Sequence, residues 1–129
     1  MRKLAILGAL ALATALSGCN TLSVISGAAI SPQSADVAIN SFDVLEASAT
    51  AYLSLPTCGA PSATVVCKNL TAAAKIIPAV KSGRVARDQI LALLNANSGA
   101  AIPVATYNTL EAVITTLQGV NSAYNIQTK

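Results

Sequence analysis

The run Ile77-Pro78-Ala79-Val80-Lys81-Ser82-Gly83-Arg84 sits between two stretches of helical periodicity, and its reading sets the number of helices in this chain. A proline inside a helix removes one hydrogen bond and crowds the preceding turn, and glycine is a poor helix former. Read locally, Pro78 kinks or breaks a helix over about 64–80, and Ser82-Gly83 separates it from the next, about 84–97. The apolar stripe of the first of these would be Val66, Leu70, Ala73, Ile77 and Val80; that of the second, Ala86, Ile90, Leu93 and Leu94.

Working outward, Ser34 is the expected N-cap of an earlier helix, with Asp36 in its first turn and Leu55-Pro56 as its stop. Ala38, Phe42, Leu45, Ala49 and Tyr52 recur at spacings of four and three and define its buried face. Pro56-Thr57-Cys58-Gly59-Ala60-Pro61 is turn chemistry. On the far side, Asn97-Ser98-Gly99 ends a helix and Pro103 suits the first position of a last one. That helix runs to about residue 126 with Tyr107, Leu110, Ile114, Leu117 and Tyr124 on one face. No stretch alternates apolar and polar residues as a half-buried strand does. The expectation is an all-α, up-and-down bundle of about four helices over residues 34–129.

Ahead of it, Arg2-Lys3 is followed by an uncharged, proline-free apolar run, Leu4 to Leu16. This has the length of the apolar core of a secretory signal and falls short of the roughly 20 residues a spanning helix needs. The run ends in Leu16-Ser17-Gly18-Cys19, which resembles the lipobox of bacterial lipoproteins: an aliphatic residue three before the cysteine and small residues next to it. The resemblance implies a signal peptide over 1–18, a diacylglyceryl thioether on Cys19, cleavage before it and acylation of the new amine. A membrane partner through the lipid at Cys19 follows, because one acyl chain holds marginally and two or more hold stably. In this class an aspartate after the cysteine favours the inner membrane. Asn20 stands there instead, which favours the periplasmic face of the outer membrane. Residues 19–33, rich in Ser, Gly, Thr and Ala, read as lipidated N-terminus and tether, whose 14 residues after the cysteine reach at most about 45 Å.

Removing residues 1–18 from the 129 leaves 111, suited to a single domain. Arg2 and Lys3 leave with the leader, so the formal +3 of the whole chain falls to about +1. Cys58 and Cys67 remain, and an even pair in an exported protein reads as a disulfide. Closing so short a loop stabilises the fold by roughly 2.5 to 3 kcal/mol in the chain-entropy treatment.

The chain has no histidine, which removes imidazole bases, His-containing zinc sites and Ser-His-Asp systems together. No Ser-x-x-Lys dyad and no phosphate-binding glycine loop occurs. No metal, no cofactor and no catalytic residue is expected. Asp43 and Glu46, three apart, share a helix face and read as a solvated pair or as partners for the basic segments downstream. Lys81, Arg84 and Arg87 form the densest positive patch, a candidate anion-binding site beside the helix start expected at Ser82-Gly83. No basic stripe interleaved with aromatics supports nucleic-acid binding. The four aromatics, Phe42, Tyr52, Tyr107 and Tyr124, all fall on the expected inner faces of the first and last helices and would pack those two together.

These features point to a non-enzymatic envelope lipoprotein that binds or supports another envelope protein. The alternative is a carrier of a lipid or apolar ligand in an inter-helix cavity. In general look the chain is also similar to small phage- and prophage-encoded lipoproteins, which would imply superinfection exclusion or lysis.

Overall fold

The computed structural model describes residues 29–61 and 66–126. The leader, Cys19 and most of the tether lie outside the described residues. Three helices follow one another: α1 (Pro32–Leu53), α2 (Leu70–Ala96) and α3 (Val104–Ala123). Among the described residues there is no strand, only the isolated bridges Ile30 to Ile102 and Thr57 to Lys68. The first of these, through the Ile30 amide to the Ile102 carbonyl at 3.5 Å, sets the starts of α1 and α3 side by side. The course is therefore up, down, up.

α1 begins earlier than expected. Ser31, not Ser34, is its N-cap, accepting the Ser34 amide at 3.2 Å. Pro32 supplies the reason: its fixed φ is preorganised for the first helical position, where an amide has no partner to lose. At the other end the Ser54 amide closes onto Thr50, and Pro56 follows.

The connection to α2 is tied at several points. The Lys68 amide donates to Pro56 at 2.8 Å and the Cys58 amide to Lys68 at 3.1 Å. Cys58 and Cys67 are bonded, with their Cα atoms 5.0 Å apart. Gly59 turns with φ +84°, a conformation that favours a residue lacking Cβ. The Tyr52 hydroxyl accepts the Asn69 amide at 2.7 Å, and the Lys68 ammonium donates to the Leu53 carbonyl at 2.8 Å. These bonds hold residues 66–69 non-helical, so α2 starts at Leu70 rather than near residue 64. Asn69 caps it, accepting the amides of Thr71 and Ala72.

The largest correction concerns the stretch around Pro78. The two helices expected over 64–80 and 84–97 are one helix of 27 residues, so the described residues form three helices, not four. Pro78 lies on the exposed side of this helix. Gly83 is buried in mid-helix against α1: a Cβ built on it would lie 2.2 Å from the Phe42 ring. The glycine is a seat for an aromatic ring rather than a hinge, and packing overrides local propensity here.

The buried stripe of α2 also differs from the expected one. Ala72, Ala73, Ile76, Ala79, Val80, Gly83, Ala86 and Ile90 face inward, while Val66, Leu70 and Ile77 are 62%, 65% and 57% exposed. Leu93 is exposed and Leu94 half-buried. Small residues allow close approach of the helix backbones, so alanines occupy the contact and the bulkier neighbours turn out.

Asn97 ends α2 with its side chain on the Gly99 amide at 3.0 Å. Pro103 is the N-cap of α3, one position before the one expected, and the helix stops at Ala123 rather than near 126. Its stripe Tyr107, Leu110, Ile114 and Leu117 is buried as anticipated. The core centres on Phe42, Ile76, Ile90, Ile102, Leu110 and Leu117.

Candidate functional site

Two clusters on opposite sides of α2 gather the side chains that carry chemistry. The first is the α1–α2 seam. There Arg84 pairs with Glu46, while Arg87 reaches Asp43 at 3.0 Å, Glu46 at 2.9 Å and Asp88 at 3.0 Å. The Arg87 guanidinium also lies over the Phe42 ring, 5.7 Å from its centroid. Its hydrogen bond to Asp43, aided by the charges of Asp88 and Glu46, outweighs burial and raises its pKa above the usual guanidinium value. The seam thus joins the acidic pair Asp43 and Glu46 to two of the three cations of the expected anion site. The third, Lys81, is not among them. The helix start expected beside this patch is absent, because residues 81–87 lie inside α2.

The second cluster is a groove on the outer side of α2 and α3. Two adjoining open depressions of about 490 and 530 Å³ share Pro78, Ser82 and Thr109 as lining. On α2 the groove follows Lys75, Pro78, Ser82, Val85 and Gln89; on α3 it follows Ala105, Thr109, Ala112 and Thr116. The Thr109 and Thr116 hydroxyls donate to the carbonyls of Ala105 and Ala112 at 2.9 and 2.8 Å. Lys75 and Lys81 stand at the groove, exposed, and neither forms an ion pair among the described residues.

The groove was not part of the expectation from sequence. Its trace there is the small-residue series Ala105, Thr109, Ala112 and Thr116, which repeats at helical spacing on the side of α3 away from Leu110 and Leu117.

A third cavity of about 360 Å³ lies at the disulfide end, among Tyr52, Leu55, Cys67, Tyr124 and Ile126. Phe42, Tyr52 and Tyr107 are buried and Tyr124 is half-buried. Phe42 packs on α2, however, so the four rings do not simply join the first helix to the last. Burial, with the Glu111 charge one turn on, pushes the Tyr107 hydroxyl pKa up. Asn121 is buried on α3, and among the described residues neither polar atom of its side chain has a hydrogen-bond partner.

Among the described residues no three of His, Cys, Asp and Glu converge as a metal site, and no helix is long and apolar enough to cross a membrane. No family model, no curated protein and no solved structure matches this chain.

Proposed function

We propose that this chain is an envelope lipoprotein, cleaved before Cys19 and acylated there, whose helical domain binds another envelope protein without catalysing a reaction. The observation that carries the reading is Leu16-Ser17-Gly18-Cys19 at the end of an uncharged apolar run that follows Arg2-Lys3. The bonded Cys58–Cys67 pair supports it, since disulfides persist in oxidising compartments such as the periplasm. Asn20 favours the periplasmic face of the outer membrane.

The position of the anchor relative to the domain is consistent with presenting a surface to a partner. The chain enters the bundle at the Ile30–Ile102 bridge, and the disulfide lies past the other end of α1. Twenty-two helical residues separate those ends by about 33 Å. A lipid at Cys19 would attach the chain to the bilayer on the side of the first end, through a tether reaching at most about 45 Å. The cavities described above are open at the surface, which favours contact with a protein over enclosure of an apolar ligand.

Mass spectrometry of the protein recovered from membranes tests the reading. The expected species begins at Cys19, carries acyl chains and retains the disulfide; Cys19→Ala is expected to leave the leader attached and to prevent acylation. A soluble, non-acylated mature chain would overturn it.

A further inference from the structure

We propose that the groove between α2 and α3 receives an amphipathic helix of another protein, with small apolar residues on its docking face and carboxylates along its edge. The inference deepens the protein-binding reading above and rests on it. Three observations select this occupant. On its α2 side the groove is about 21 Å long, the rise from Lys75 to Gln89, which matches about four turns of an incoming helix. Its α3 wall includes the small residues Ala105, Thr109, Ala112 and Thr116, and the Thr109 and Thr116 hydroxyls are engaged within α3, so a helix can approach closely. Among the described residues its two lysines lack carboxylate partners, although both arginines of the same helix have at least one.

Charge argues against the occupants this chain could itself supply. Residues 1–28 contain Arg2 and Lys3 and no carboxylate side chain, so the N-terminal segment cannot match Lys75 and Lys81. In a second copy, Asp43, Glu46 and Asp88 already face arginines, Glu111 lies beside Tyr107, and Asp36 is a single carboxylate at the start of α1; two grooves face to face would oppose lysine to lysine. A bilayer is flat and this site is concave, so a helix fits it better than a lipid surface does. Lys75 and Lys81 are six residues apart, about 9 Å along the axis and about 120° around it, and would meet carboxylates about two turns apart that flank the docking face of the partner helix.

The experiment uses the full chain in detergent micelles and a panel of helical peptides of about 14 to 18 residues. All share one alanine- and leucine-containing face and differ only in Glu, Gln or Lys along the edge. Binding is followed by amide chemical shifts. The Glu peptide is expected to shift Ser82, Val85, Thr109 and Ala112 and to leave Val37 and Val44 on α1 unmoved; the Lys peptide is expected not to bind. Reversing both lysines (K75E and K81E) should weaken the Glu peptide by roughly tenfold and admit the Lys peptide, with an unchanged melting temperature. Thr109→Trp, which fills the groove, should abolish binding of either.

Binding of the Glu peptide elsewhere, its insensitivity to K75E/K81E, or no binding by any peptide would overturn the proposal. So would a dimer seen by sedimentation and lost in Thr109→Trp, or lysine-dependent binding only to vesicles of anionic phospholipid. These readouts do not depend on the fate of Cys19. A failed groove and a failed anchor are therefore separate results, the second read by the mass of the mature protein.

Discussion

The two sides of α2 use the same kinds of residue to opposite effect. Toward α1, the missing side chain of Gly83 is filled by the Phe42 ring, and Arg84 and Arg87 are closed by Glu46, Asp43 and Asp88. Toward solvent beside α3, Ala105, Ser82 and Thr109 line an open groove, and among the described residues Lys75 and Lys81 pair with no carboxylate. Small residues next to basic ones mark a seat in both places. The difference is whether the same chain supplies the occupant, and that separates a contact that holds the fold together from a surface with capacity to bind.

The most direct way to break the comparison is to empty the filled seat. Phe42→Ala is expected to cost about 3 to 5 kcal/mol in chemical unfolding, as for other fully buried phenylalanines. Gly83→Ala should cost about 1 to 3 kcal/mol because the new methyl meets the ring, and should cost much less in a Phe42→Ala background. Equal costs in the two backgrounds would show that Gly83 is not a seat. Removing the disulfide with C58A/C67A should lower stability by roughly 2.5 to 3 kcal/mol without disturbing the groove, since the bond joins residues before α2.

Charge substitutions sharpen the contrast at smaller amplitude. Arg87→Ala is expected to destabilise by about 1 kcal/mol, through loss of its carboxylates and of its position over Phe42, whereas Lys81→Ala should change stability by less than about 0.5 kcal/mol. Comparable losses would mean that Lys81 has a structural partner. Asn121→Leu should stabilise the domain by about 1 kcal/mol, because it replaces a buried amide without partners by an apolar side chain of similar size.

The smallest effect appears at high pH. The Tyr107 hydroxyl has a higher pKa folded than its ordinary value of 10.0, so the folded state holds a proton that the unfolded chain gives up. Its stabilising contribution is complete below about pH 10 and is lost as pH rises through the folded pKa. As pH rises above about 10 the melting temperature should fall more steeply for the wild type than for Tyr107→Phe.

The buried stripes of α1 and α3 were legible because each places large residues, Phe42 and Leu45 or Leu110 and Leu117, at helical spacing on one face. α2 was not. Its contact is built from Ala72, Ala79, Gly83 and Ala86, whose small size is the reason they pack, and hydropathy periodicity is drawn instead to Leu70 and Ile77. The disulfide could be read from the number and setting of the cysteines. The pairing of Asp43 and Glu46 with Arg84 and Arg87 could be read only as one of two options, because which charges meet depends on how α1 lies against α2.

By itself, the sequence determined that this is an all-α chain with two inner cysteines to join, and it holds the lipobox-like stretch on which the proposed anchor rests. These are properties of composition and short-range spacing. Only the tertiary structure decided that Pro78 and Gly83 lie inside one helix, that two arginines are engaged while two lysines are not, and that an open groove runs along α2 and α3. The physical reason is the same in each case: the energy of close packing against a distant segment outweighs the local preference of a proline, a glycine or a charge.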